Sequence, residues 1–269
     1  MTASSSPQPQ ELRPSSDWEE VPFYLHGVGR VWRIPLLARL CFARMVPGIL
    51  LHKLKRRLAP AAPGFTPAAV YNQLLVFDRP ELAGGGLVYA PDFLRLLLEM
   101  GLGRQEHICE FASGAGYIGY YLLAHGFCRR VTFLDINPVA IEAANYTARM
   151  NSILERISAY VSDGVDQVPQ QERWNVVVAN PPQLPSSDPH QNVLLTVDPD
   201  WNLHRRFYGS IARYMVPGGY VVMIERGPAP EHSLFREMIE AGGGQFVRAV
   251  TRVSVAGVPS HYHYVISRW

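Results

Sequence analysis

Lysine is nearly absent from this chain. Lys53 and Lys55 are its only lysines, and arginine supplies the rest of the 25 basic residues. Against 23 acidic residues the formal net charge is only +2, which argues against a broad nucleic-acid surface, because such surfaces cluster an excess of positive charge. Cysteine is scarce as well. Cys41, Cys109 and Cys128 lack the close pairing of a zinc site or a secreted disulfide framework, so they read as reduced core thiols and no metal site is expected. No apolar run reaches membrane length uninterrupted. The stretch 34–58 is cut by Arg39 and Arg44 and broken at Pro47-Gly48, which argues against a span there and suggests two short amphipathic helices. The second carries Lys53, Lys55, Arg56 and Arg57 on a solvated face. Residues 1–17 are polar and lack a signal-peptide core, so a disordered tail and a cytoplasmic location are expected.

Thr66-Pro67 offers an N-cap followed by proline, and predicts a helix over 68–76. Residues 18–88 are therefore expected to form a helical cap or substrate lobe, with Gly84-Gly85-Gly86 as the hinge out of it. A helix over 92–100 follows, its Phe93, Leu94, Leu96, Leu97 and Leu98 able to face a sheet. Beyond it, short β-branched or aromatic runs at 108–112, 131–136, 157–162, 176–179 and 220–224 alternate with helical patterns at 118–125, 138–150 and 205–215. Such alternation predicts a parallel, doubly wound α/β sheet. Residues 245–255 and 261–267 face each other across Gly257-Val258-Pro259, so the sheet is expected to end in an antiparallel hairpin.

The first of these strands ends in a glycine-rich loop, Glu110-Phe-Ala-Ser-Gly114-Ala-Gly116-Tyr-Ile-Gly119, which opens a helix. Glycines there let the backbone turn tightly and approach a ligand, and the last lets helix and strand pack. Asp135 ends the next strand, where a carboxylate can accept both hydroxyls of a ribose. Glu110 suits orientation of the loop, or a cationic amino-acid moiety, better than a pyrophosphate. S-adenosylmethionine carries an amino acid and a sulfonium and no phosphate. Ser162-Asp163-Gly164 adds a polar group able to reach an adenine. N-capping is the bland alternative for Asp135 and Asp163.

Asn180-Pro181-Pro182-Gln183 ends the apolar run 174–179 at the same carboxyl edge, where ligands of such sheets bind. Two successive prolines stiffen the backbone after Asn180, so its amide and the Pro181 carbonyl share a fixed direction. After a long loop, 184–199, come Trp201, His204, Arg205 and Tyr208, with His204 a candidate general base. His261 and His263 alternate with tyrosines on the last strand. Tyr71, Asn72, Gln73 and Phe77 are candidates for a substrate lid, and Tyr89 for closing over the cofactor.

Taken together, Glu110, Gly114, Gly116, Gly119, Asp135, Asp163, Asn180-Pro181-Pro182-Gln183 and the terminal hairpin resemble class I S-adenosylmethionine-dependent methyltransferases. The order of elements is most similar to the small-domain group that contains release-factor glutamine and rRNA guanine N2-methyltransferases. Val88-Tyr89-Ala90-Pro91-Asp92 and residues 200–208 resemble further segments of that group.

The resemblance implies a seven-stranded Rossmann-like methyltransferase sheet over 89–269. It implies S-adenosyl-L-methionine held by Tyr89, Glu110, Ala112, Gly114, Gly116, Gly119, Asp135, Ile136, Asn137, Ser162, Asp163, Gly164 and Asn180. Asn180, Pro181, Pro182 and Gln183 would form the catalytic tetrapeptide, with the Asn180 and Pro181 oxygens accepting N–H bonds from the methyl acceptor. Gln183, Trp201, His204, Tyr208 and His261 would touch substrate.

Related enzymes carry Tyr or Phe where this chain has Gln183, which offers a hydrogen bond but little π surface. That departure favours N-methylation of a small molecule of secondary metabolism, with Gln183 tuning selectivity. Protein-glutamine or RNA methylation, O-methylation, an inactive cofactor-binding scaffold and a nucleotide-dependent oxidoreductase stand as alternatives. A homodimer is compatible with the sequence.

Overall fold

A computed structural model describes residues 62–82, 86–185, 196–226, 232–253 and 259–269. Its centre is a seven-stranded sheet. In chain order the strands are β3 (Gln105–Phe111), β4 (Cys128–Asp135), β5 (Ile157–Val161), β6 (Trp174–Ala179), β7 (Met215–Arg226), β8 (Gln245–Val253) and β9 (Pro259–Arg268). They lie side by side as β5-β4-β3-β6-β7-β9-β8. The first five are parallel, while β9 inserts antiparallel between β7 and β8, as the terminal hairpin predicts. Order reverses between β3 and β6, and the crevice at such a switch point is where ligands of open α/β sheets bind.

Helices cover both faces. On one side α1 (Ala90–Glu99), α2 (Tyr117–Ala124) and α3 (Pro138–Met150) pack Phe93, Leu96, Ile118 and Ala144 into a core with Val176 and Val178 of β6. Val177 and Ala179 enter a second core with Phe207, Tyr208 and Phe235 from α4 (Asn202–Ser210) and α5 (His232–Ala241). Strand side chains alternate between faces, so a continuous run of valines is what a sheet covered on both sides requires.

Residues 68–76 are not helical. They belong to a separate hairpin of β1 (Thr66–Tyr71) and β2 (Leu74–Asp78), joined by Asn72-Gln73. Asn72 sits at φ 52°, a left-handed conformation that asparagine tolerates in turns. Pro67 lies beside a register shift near the start of β1, where the lost N–H is tolerated. The helical lobe expected over 18–88 is thus β-structure in its described part. The tail, the helices over 34–58, Cys41 and Gly84-Gly85 lie outside the described residues.

Two further expectations change. Leu98 of α1 is 43% exposed and faces away from the sheet. Helix α5 was not foreseen, although Phe235, Met238 and Ile239 recur at helical spacing on its buried face.

The hairpin is fastened to the helical layer by side chains that mimic a neighbouring strand. Asn151 Oδ1 accepts from Leu75 N at 2.9 Å while its Nδ2 donates to Leu75 O at 2.8 Å, and Thr147 Oγ1 accepts from Phe77 N at 2.9 Å. Replacing Asn151 by Ala leaves Leu75 without this pair and should cost about 1–3 kcal/mol. Amide exchange at Leu75 should accelerate while that of β3 stays unchanged.

Candidate active site

The carboxyl ends of β3, β4 and β6 open onto a cleft of about 380 Å³, whose walls include Glu110, Gly114, Asp135, Asp163, Asn180 and Asp198. Glu110 is 1% exposed. Its Oε1 accepts from Ile118 N at 3.2 Å and its Oε2 from Gly119 N at 2.6 Å, so the carboxylate holds the first turn of α2. Burial drives its pKa up to about 8, against the opposing pull of those two N–H groups. Of the two roles foreseen for Glu110, loop orientation is visible directly.

Between β3 and α2 the chain turns through Ala112 (φ 51°), Gly114 (φ 51°) and Gly116 (φ 84°). A Cβ on Gly114 would meet nothing within 4 Å, so this glycine leaves open space in the cleft. Gly116 and Gly119 do different work. A Cβ on either would lie 2.7 or 2.6 Å from the Phe133 ring, so both let helix and sheet approach.

Asp135 braces the loop from the neighbouring strand. Its Oδ2 accepts from Gly114 N at 2.8 Å and its Oδ1 from Asn137 N at 2.9 Å, and burial raises its pKa. The Ile136 N–H also favours the charged form, so three backbone donors converge on this carboxylate. Ile136 is 47% exposed beside it, a flat apolar surface at the cleft. Asn137 caps α3 through Val139 N at 3.0 Å. Ser162, Asp163 and Gly164 also line the cleft. The Asp163 carboxylate pairs with Arg206 at 3.0 Å, a partner 43 residues away that sequence spacing could not reveal.

Asn180 and Pro182 line the cleft on the β6 side. Gln183 turns inward instead of toward substrate: its Nε2 donates to Asn180 Oδ1 at 2.8 Å and to Ile224 O at 2.9 Å. A backbone carbonyl can only accept, which fixes the Gln183 NH₂ there and leaves the oxygen of Asn180 as its other partner. Gln183 thereby sets the orientation of the Asn180 amide.

Several expected contacts are not brought to the cleft. Tyr208 is fully buried in the second core, its hydroxyl near Met223 Sδ, and Trp201 packs edge-on against Phe235. Tyr89 is not in the cleft wall and packs against Tyr262. Tyr71 and Phe77 pack in the core under the hairpin instead of forming a lid. His261 lies on β9 with its side chain outside the described residues. His204 is enclosed between Asp198 and Glu225; against the opposing effect of burial, those two acids raise its pKa to about 9, and it does not line the cleft, so it is not placed to act as a general base. The end of the long loop does reach the site, since Val197, Asp198 and Pro199 line the cleft with Asn202 and Leu203, and Asp198-Pro199 ahead of a helix is a capping signal.

Residues 91–241 match the family described as methyltransferase small domain. The chain belongs to that family. It is an S-adenosylmethionine-dependent methyltransferase, and the cleft suits that cofactor: a buried acid at one end, open space at Gly114 and a second carboxylate, Asp135, in its wall. The methyltransferase is 28% identical over 118 residues to the ribosomal RNA small subunit methyltransferase C of Pseudomonas aeruginosa, a match covering 44% of this chain and 31% of that protein. It thus spans about a third of that relative's length. It is 26% identical over 163 residues to the "Putative protein N5-glutamine methyltransferase" of Methanocaldococcus jannaschii, covering 58% of this chain and 80% of that one.

Among solved structures, the Thermus thermophilus 16S rRNA N2 methyltransferase RsmC, in complex with AdoMet and guanosine, superposes with a TM-score of 0.54 at 16% identity. That match covers 78% of this chain and 52% of RsmC, and shows a shared fold. The expectation that nucleic acid is an unlikely partner is overturned, and nothing in these matches supports a small-molecule acceptor over the alternatives of protein glutamine or RNA. These relatives are named for ribosomal RNA or protein glutamine, and a low net charge does not report on a local acceptor surface. Among the described residues no helix is long and apolar enough to cross a membrane.

The glycines give a paired test. Gly119→Ala drives a Cβ into Phe133 and Glu110 and should lower stability by about 1–3 kcal/mol. Gly209→Ala, in α4 with nothing within 4 Å, should raise it by about 0.5–1 kcal/mol. Urea unfolding of both variants measures the difference.

Proposed function

We propose that the methyltransferase transfers its methyl group to the planar NH₂ of a macromolecule, and that this group is the side-chain amide of a protein glutamine. The observation that carries the reading is the Asn180 amide, fixed at the cleft wall by Gln183 and followed by two prolines. Gln183 takes one lone pair of Asn180 Oδ1, and the other remains for one acceptor N–H. The Pro181 carbonyl would take the second. Held this way, the acceptor nitrogen keeps its lone pair directed into the cleft, which is catalysis by positioning. The bound cofactor supplies an electrophilic methyl on a sulfonium. Glu110 would face its cationic amino acid, Asp135 its ribose hydroxyls and Asp163 its adenine. Leu82 and Gly86 also line the cleft, which supports a wall contributed by the segment before α1.

Glutamine is preferred over a nucleobase because the match covers 80% of the relative named for protein glutamine and only 31% of the one named for ribosomal RNA. Guanine N2 of ribosomal RNA is the second reading, favoured by the relative named for that substrate.

The test is methyl transfer from tritiated cofactor to extract treated with protease or ribonuclease. The proposal expects ribonuclease-resistant label in protein, released as methylamine on acid hydrolysis. Label destroyed by ribonuclease would select the second reading, and label in neither fraction would contradict both. Asn180→Ala should lower kcat on the order of a hundredfold, comparable to losing a positioned hydrogen-bonding group in other enzymes. Affinity for S-adenosylhomocysteine, read by calorimetry, should stay near that of the parent protein.

A further inference from the structure

Two consecutive residues at the tip of β7 hold both ends of the segment that follows Pro182. Ile224 accepts from Gln183 through its carbonyl, and Glu225 Oε1 lies 2.9 Å from His204 Nε2. On the other side of the imidazole, Nδ1 lies 2.6 Å from Asp198 Oδ2. The segment's ends are also joined directly, since Gln183 N and Leu184 N donate to Thr196 O and Asp198 N donates to Leu184 O.

Geometry and two flanking acids favour a charged His204. A neutral imidazole has one N–H and one bare nitrogen, and here the bare nitrogen would meet a carboxylate lone pair. With Asp198 and Glu225 ionised, both nitrogens are satisfied only when both carry protons; the neutral ring would require one of the two acids to hold the proton instead. Asp198, His204 and Glu225 are 3%, 1% and 1% exposed, so the set is shielded from bulk water. Breaking one member of such a buried set leaves an uncompensated charge and is costly.

Asp198 also receives Leu203 N at 2.8 Å and His204 N at 3.2 Å, which secures the start of α4. Between Asp198 and α4, Asp200 and Trp201 adopt φ of 53° and 54°, a conformation non-glycine residues keep only where their surroundings enforce it. The Trp201 ring meets His204 edge-on at 5.1 Å. The residues on either side of this turn, Val197, Asp198, Pro199, Asn202 and Leu203, form one wall of the cofactor cleft.

We propose that His204 is a positioning residue, a buried imidazolium that clamps the Asp198 wall of the cofactor cleft to the tip of β7, so that releasing the clamp weakens cofactor binding. The proposal rests on the cleft being the cofactor site, but the state of the ring can be read without any ligand. The titratable groups around the ring are Asp198 before α4, Glu225 on β7 and Tyr208 one turn along α4, whose phenol burial pushes well up. Trp201 and, from α5, Phe235 face it without charge. A histidine pKa raised from 6.5 to about 9 gives a clamp complete below pH 6.5 and lost as pH rises through 9.

Two measurements decide. Nitrogen NMR of the ring at pH 7.5 should show both ring nitrogens of His204 protonated, and a neutral ring would overturn the proposal. Calorimetry of S-adenosylhomocysteine from pH 6 to 10.5 should show affinity falling near pH 9. In Glu225→Gln, which keeps an acceptor for Nε2 but removes a charge, that fall should move down by about one pH unit or more. The cofactor's own amine titrates alike in both proteins, so coincident alkaline limbs would also overturn the proposal. Absence of binding to either protein at any pH would refute the cofactor reading of the cleft instead. Asp198→Asn provides the same comparison should Glu225→Gln not fold.

Discussion

A single buried carboxylate organises the working edge of this molecule. Glu110 leaves the end of β3 pointing inward and draws the amides of Ile118 and Gly119 toward it, so strand, loop and helix meet at one point. The positive end of α2 and two directed N–H bonds favour the ionised acid, while enclosure in protein opposes it. Their balance leaves the group titrating at about 8, where the arrival of a cation can tip it. Gly116 and Gly119 then become necessities, because any side chain there would force α2 off Phe133 and away from the acid.

The opposite wall is built by long-range contacts. β6 delivers Asn180 to the edge, and the adjacent tip of β7 reaches back to the segment beyond it through Ile224 and Glu225. Gln183 fixes the direction of an amide and His204 fixes a strained turn. Both act from behind the cleft surface, so an acceptor would meet the groups they hold without touching either one.

Much of the sheet was legible in the chain. Runs such as Trp174-Asn-Val-Val-Val-Ala can be buried on both faces only in a covered parallel sheet, and the glycine loop declared the switch point. The hairpin at 66–78 was not legible, because Thr66-Pro67 mimics a helix start and its turn uses Asn72 where glycine would have announced itself. Its register is completed by Asn151 and Thr147, some 70 residues away. The site was half readable for the same reason. Glu110, Asp135 and Asn180 end strands, so their place at the edge follows from topology alone. The pairing of Asp163 with Arg206, the inward turn of Gln183 and the burial of His204 between two acids depend on which helix crosses which strand end, and local pattern does not encode that.

The most direct test of this account is calorimetry of S-adenosylmethionine at pH 7 in two buffers of different protonation enthalpy. A cationic cofactor set beside Glu110 favours the ionised acid, so binding should release a substantial fraction of a proton, and Glu110→Gln should abolish the release. Binding with no proton released from the parent protein would show that the cation does not lie against this carboxylate.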